Sequence, residues 1–347
     1  MKNPPYTLLP EWAPQSGVML TWPTAESDWG PWLEEIEAVY LKIAREIASR
    51  EKLLIVCRHS DHLAHVKKQL AQQNINQTAF SLHVAPFNDT WVRDYGPLSC
   101  LDPKGRPLLL DFIFNGWGGK YEARLDNEVT ARLYGQGVFG NTPLKQLALI
   151  LEGGSIEVDG AGNLLTTANC LLSKTRNGNL TQKAMEAQLK QWLGVERVLW
   201  LRHGQLAGDD TDGHIDTLAR FCNSQTICYV ACDDPKDQHY PELQAMEGDL
   251  RTLQTAKSVP YCLVPLPWPS PKFNAEGQRL PASYANFLIL NGAVLVPTYH
   301  DPADTQALSI LQSCFPDRQV VGIDCLPLIQ QYGSLHCMAM QLPAGIL

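Results

Sequence analysis

The 347-residue chain is 45% hydrophobic, long enough to bury a large core, and its length alone allows one domain or two. Its formal net charge of −8, with no basic stripe, argues against nucleic acid and anionic membrane as partners and suits a small cation. The N-terminal MKNPPYTLLPEWAPQSG offers no apolar stretch suited to a signal peptide, and no window reaches the roughly 18 apolar residues of a membrane span, so a cytoplasmic location is expected.

In chain order, an amphipathic helix is predicted from Trp32 (WLEEIEAVYLKIAREIASR), then a strand at LLIV near Leu53 and another at LLLDFIF from Leu108. A second helix is predicted at LTQKAMEAQLKQWLG from Leu180, followed by strands RVLWL from Arg197, TICYV from Thr226, NFLIL from Asn286 and AVLVP from Ala293. The Asn291-Gly292 pair between the last two marks a hairpin turn. A third helix is predicted at PADTQALSILQSCF, with Asp301 as N-cap and Pro302 at the first helical position, and a strand at QVVGID from Gln319. Strands and helices interleave with no linker or low-complexity tract, so residues 1–347 read as one α/β domain. Periodicity does not distinguish a doubly wound sheet from a closed, repeated arrangement. The ten cysteines scatter through these elements without a CxxC, so reduced thiols are expected and a structural metal is not.

Polar residues and glycines concentrate in NDTWVRDYGP (Asn88 to Pro97), FNGWGGKY (Phe114 to Tyr121), LEGGSIEVDG (Leu151 to Gly160), GDDTDGHID (Gly208 to Asp216) and YGSLHC (Tyr332 to Cys337). Each adjoins an apolar run, where an α/β scaffold displays functional groups on anchored loops. His214 and Asp216 are two apart, so on an extended segment they share a face and set a base beside a carboxylate; a structural histidine with a bonded neighbour is the plainer reading. Cys337 ends a glycine-containing loop before MAMQL, which could place an exposed thiol at the mouth of a strand, although a free cysteine is commonly just a small buried hydrophobe. Asp94 is fixed at a turn by Gly96 and Pro97, either for function or to pair with Arg93. Glu152 before Gly153-Gly154 is similarly pinned, and the glycines around Trp117 would let a ligand's aliphatic chain pack on the indole, if it is not a core tryptophan.

Together with LPEWAPQSGVMLTWP near the N-terminus and SYANFLILNGAVLVP, these segments resemble, in this order and over essentially the whole chain, the agmatine deiminase and bacterial-type peptidylarginine deiminase family of guanidino-group-modifying enzymes. The resemblance implies a pentein fold, a five-bladed α/β propeller with pseudo-fivefold symmetry and a central active site, with no cofactor and no metal. It implies Cys337 as nucleophile, His214 as general acid/base, Asp94 and Asp216 as the carboxylates that grip the guanidinium, and Glu152 as the acid that orients and charges the histidine. The implied substrate is a small cationic guanidino compound, agmatine first, with arginine or peptidyl-arginine as the alternative within the family. A guanidinium is a planar, permanently protonated cation whose carbon is a poor electrophile, so carboxylates must hold it against a thiolate for attack to occur.

The sequence departs from the family pattern in three places: Gln331 and Tyr332 replace a more glycine-rich run, Leu335 replaces isoleucine, and Asp212 stands where asparagine is common. Two other readings compete. His59, His62 and His65 in CRHSDHLAHV could ligate a metal, against a solvated helix start capped by Ser60 or Asp61. A non-catalytic guanidine-binding or assembly protein would also keep the fold. The number of subunits is not legible, a homodimer being one option.

Overall fold

The computed structural model describes residues 6–178 and 180–347. Its organisation is a fivefold repetition of one motif, two antiparallel strands followed by a helix and a third strand parallel to the second. The motif is seen in Leu98–Leu101, Pro107–Ile113, helix Asp126–Gly135 and Leu144–Ile150. It recurs in Ile156–Val158, Asn163–Thr167, helix Gln182–Leu193 and Arg197–Leu201. Ala219–Asn223, Thr226–Val230, helix Tyr240–Thr252 and Cys262–Leu266 form the next copy. Leu288–Leu290, Ala293–Thr298, helix Asp304–Cys314 and Gln319–Asp324 form another. In the remaining copy the chain ends meet: Ala339–Pro343 lies antiparallel to Gln15–Thr21, which continues through helix Leu33–Ala48 to Lys52–Cys57 and, after helix Ser60–Gln72, to Phe80–Val84. No residue repeat announced this pattern, because each copy needs only apolar alternation and turn chemistry at matching places.

Local reasons for these elements are plain in the sequence. Helix Leu33–Ala48 buries Ile36, Val39, Tyr40, Ile43, Ala44 and Ile47, a spacing of three and four that makes one apolar stripe. Truncating Ile43 to alanine at this fully buried position would cost about 2–5 kcal/mol. Glu37 on the same helix is also buried, yet it is satisfied by Trp22 Nε1 at 2.9 Å and His65 Nε2 at 2.8 Å. Strand Lys52–Cys57 is apolar and buried from Leu53 onward because parallel neighbours flank it and helices cover it. Helix Gln182–Leu193 is delimited by the Thr181 side chain, which accepts from Ala184 N, and by Gly194 at φ 68°. The Asn291-Gly292 turn joins Leu290 to its partner Ala293 as expected.

Two expected caps differ. The helix expected from Pro302 starts at Asp304; Asp301 accepts instead from Ala303 N in the turn ahead of it. At helix Ser60–Gln72 it is His59, not Ser60 or Asp61, that caps, its Nδ1 accepting from His62 N. The ten cysteines are all unpaired, and Cys222, Cys228 and Cys314 lie in contact, with Sγ separations of 3.0 and 3.5 Å about Cys228. Among the described residues no helix is long and apolar enough to cross a membrane.

Candidate active site

The repeats position the chemistry by one rule. In each copy, the segment within five residues ahead of its first antiparallel strand supplies a polar group: Asp94 before Leu98, Glu152 before Ile156, His214 and Asp216 before Ala219, Asn286 before Leu288, and Cys337 before Ala339. These groups converge. A Cβ added to Gly154 would lie 2.7 Å from His214 Nδ1, 2.8 Å from Asp94 Oδ1 and 3.0 Å from Asp216 Oδ2, so three of the expected site residues close around one glycine. Cys337 Sγ is 3.7 Å from Asp216 Oδ2 and receives Asn286 Nδ2 at 3.3 Å. The structure thus brings together Cys337, His214, Asp94 and Asp216, with Glu152 behind the histidine.

Asp94 sits on the helical turn Val92–Tyr95, where adjacent side chains diverge, so it does not pair with Arg93. Its Oδ1 accepts from Gly154 N at 2.9 Å and its Oδ2 from Trp117 Nε1 at 2.8 Å. Arg93 turns the other way, to Glu11 and Gln341. Burial, opposed by His214 and reinforced by Asp216 and Glu152, pushes the Asp94 carboxyl up to about 6. Trp117 is buried, stacks edge-on with Phe114 and Tyr121, and lines the pocket over Cys337.

The GDDTDGHID segment is not extended. Asp209 accepts from Thr211 N and Gly213 N, Gly213 takes φ 85°, and residues Ile215–Thr217 form a 3₁₀ turn, so His214 and Asp216 meet through a turn instead of along a strand. His214 is buried with neither ring nitrogen hydrogen-bonded; Nδ1 is 3.6 Å from Asp94 Oδ1 and Nε2 3.7 Å from Glu152 Oε2, too long for hydrogen bonds but close enough for charge attraction. Burial alone would lower its pKa, yet its neighbours, Asp94 first and Glu152 among them, raise it well above the ordinary histidine value and favour the imidazolium.

Glu152 is fully buried and gripped by Arg176, whose Nε lies 2.9 and 2.8 Å from its two oxygens. Burial opposes ionisation, but His214 and Arg176 hold the carboxyl below its usual value. Arg176 also holds Asp212, one of the three departures from the family pattern, and Lys120 Nζ reaches the same carboxylate at 2.8 Å. Cys170 Sγ lies 3.8 Å from Glu152 Oε2 in the same group. Ligand atoms of Glu152, Cys170 and His214 are near enough for a metal ion, but the guanidinium on Glu152 and the imidazolium of His214 oppose a further cation there. His59, His62 and His65 do not converge on a metal: beyond the cap, His59 pairs with Glu26, His62 with Pro23 O and His65 with Glu37.

The thiol of Cys337 is 8% exposed, not displayed openly at a strand mouth. Burial, then Asp216 and Asp94, push it well above the ordinary cysteine value, which favours the thiol over the thiolate. Asp216 is itself fully buried; burial is outweighed by His336 and His214, which keep it ionised below the usual carboxylate range. Sequence reasoning did not assign Asn286, Arg176, Cys170 or His336 to the site. For Asn286 a signal was present, since SYANF lies just ahead of a strand as the other site segments do.

A buried thiol, a buried histidine and paired carboxylates beside an acidic pocket fit a hydrolase that acts on the carbon–nitrogen bonds of guanidino compounds. The chain belongs to the Porphyromonas-type peptidyl-arginine deiminase family, whose model matches residues 7–343. It is 32% identical to the agmatine deiminase of Pseudomonas syringae pv. tomato, over 96% of this chain and 94% of that one. It superposes with a TM-score of 0.90 on an agmatine deiminase of C. jejuni with substrate bound, at 36% identity, covering 99% of this chain and 97% of that one. A Porphyromonas gingivalis structure provisionally named an arginine deiminase is 50% identical, with a TM-score of 0.93 and 99% of each chain covered.

Proposed function

We propose that this protein is an agmatine deiminase, converting agmatine and water to N-carbamoylputrescine and ammonia on a free, cytoplasmic small-molecule substrate. The observation that carries the substrate choice is the pocket leading to Cys337. Among the described residues it is lined by Asp28, Asp89, Asp94, Asp209 and Asp210, and by no lysine or arginine. Such a lining accepts the second cation of agmatine and gives an α-carboxylate no partner. The two cations that could have served arginine are engaged elsewhere: Arg93 with Glu11 and Gln341, and Lys120 with Asp212 and the Asp210 carbonyl.

In this reading Asp94 and Asp216 hold the guanidinium, and its charge offsets the two carboxylates that keep Cys337 protonated, so the thiol ionises to solvent as substrate binds. The sulfur attacks the guanidinium carbon, imidazolium His214 protonates a terminal nitrogen, and ammonia leaves an amidino-thioether cation. Neutral His214 then takes a proton from water as its oxygen bonds to the carbon. The carbon–sulfur bond breaks, the thiolate takes the hydroxyl proton, and the ureido product departs. Glu152 and Asp94 keep His214 charged between turnovers. Trp117 flanks the substrate's methylene chain. The five repeats support a five-bladed α/β propeller, a pentein fold in one domain spanning 1–347, with the site on its axis.

The test is product identification. Wild-type protein given agmatine releases ammonia and N-carbamoylputrescine in equal amounts, and Cys337→Ser releases neither while still binding agmatine. Turnover by the serine variant would remove Cys337 as nucleophile.

A further inference from the structure

The LPEWAPQSG segment carries a half-buried acid, Glu11, that the reaction above does not use. Glu11 reaches beneath the site, where Arg220 Nη2, Arg93 Nη1 at 3.1 Å and Gln341 Nε2 at 2.9 Å converge on it. From there a continuous chain runs to the substrate site. His336 Nε2 lies 2.6 Å from Glu11 Oε1, and His336 Nδ1 lies 2.7 Å from Asp216 Oδ2; the imidazole is fully buried. The other oxygen of Asp216, Oδ1, is buried with no hydrogen-bond partner, an expensive arrangement unless something arrives to fill it.

We propose that Glu11 and His336 are positioning residues for Asp216, forming a Glu11–His336–Asp216 chain that fixes Oδ2 and leaves Oδ1 an ionised, oriented acceptor for the guanidinium. The proposal rests on the reading of Asp216 as a substrate carboxylate.

Proton counting supports it. A contact of 2.6 Å between a ring nitrogen and a carboxylate oxygen requires a proton between them. Burial and the Arg220 and Arg93 guanidiniums disfavour a charged His336. Burial opposes an ionised Glu11, but Arg220, His336 and Arg93 hold its carboxyl well below the ordinary range. Wherever that shared proton rests, His336 Nδ1–H faces Asp216, which stays a carboxylate, and the three groups together carry one negative charge. The charged groups facing the chain are Arg93 and Arg220 at Glu11, Glu157 across Arg220, and His214 at Asp216. His336 precedes the nucleophile, so the same residue ties the cysteine loop to the acid that aims the substrate.

Two variants test this on the full chain. His336→Gln severs the link to Asp216 while leaving Glu11 on Arg220; Glu11→Asp keeps the charge on Arg220 but withdraws it from His336. Each is expected to lower kcat/KM for agmatine at least about tenfold, the worth of one hydrogen bond to a charged group, mainly through KM. Each is also expected to steepen the acid limb of the kcat/KM profile below pH 6, because Asp216, released upward from below the usual carboxylate range, adds a second ionisation to that of Asp94. Agmatine protection of Cys337 from iodoacetamide, read on the same proteins, gives the same comparison without turnover. Unchanged protection and an unchanged pH profile in a folded variant, or activity loss that merely tracks a lower melting temperature, would overturn the proposal. Wild-type protein inactive on agmatine but protected by it would instead overturn the reading of the reaction.

Discussion

Trp117 donates its indole N–H to Oδ2 of Asp94 at 2.8 Å, and it does so from a left-handed backbone conformation, φ 53° and ψ 49°, between Gly116 and Gly118. The loop spends backbone freedom to aim one hydrogen bond at one carboxylate. Trp117→Phe keeps the ring and removes the donor, so kcat/KM for agmatine should fall roughly 10- to 100-fold, as for a hydrogen bond to a charged group. Steady-state kinetics with a thermal melt check this; a fall below threefold would reduce Trp117 to packing.

Burial pushes the Asp94 carboxyl up to about 6, and only its ionised form grips a cation. Because this pKa is raised, the competent form is lost on moving down through pH 6, well before an ordinary aspartate would protonate. The kcat/KM for agmatine should therefore decline below about pH 6, and Asp94→Asn should be nearly inactive at every pH. A profile flat to pH 5 would contradict the assignment.

Gly154 tests the convergence of the site without touching a reacting group. Its backbone φ is not left-handed, so alanine is tolerable in the chain itself, yet the added methyl would press on His214, Asp94 and Asp216 at once. Gly154→Ala should lose 100-fold or more in kcat while shifting unfolding by only about 1–3 kcal/mol, the usual range for overpacking. Activity close to wild type would mean that these three side chains are not held where they are seen.

Much of this was legible in the sequence for a physical reason. Strand and helix positions follow from local periodicity, and the segments that carry Asp94, Glu152, Asp216 and Cys337 mix glycine with polar and charged residues in a way that a core does not need. What stayed hidden depends on contacts between distant residues. Asp216 meets His336 across 120 positions, and His336 meets Glu11 across 325, so no local pattern couples them. Likewise Arg176 and Asp212, 36 apart, explain a departure from the family pattern only once folded: the aspartate at that position carries the charge that Arg176 and Lys120 share. The expected extended face for His214 and Asp216 failed because Asp209 folds that segment into a turn.

An acidic pocket that offers no free cation among the described residues selects agmatine for cysteine-dependent deimination in this account, and one comparison tests that most directly. The kcat/KM for ammonia release is measured on agmatine, free arginine and an arginyl peptide under the same conditions. An α-carboxylate left without a partner against Asp209 and Asp210 loses at least the few kcal/mol of an unpaired buried charge, so agmatine should exceed both others by about two orders of magnitude or more. Comparable values for arginine or the peptide would contradict the account.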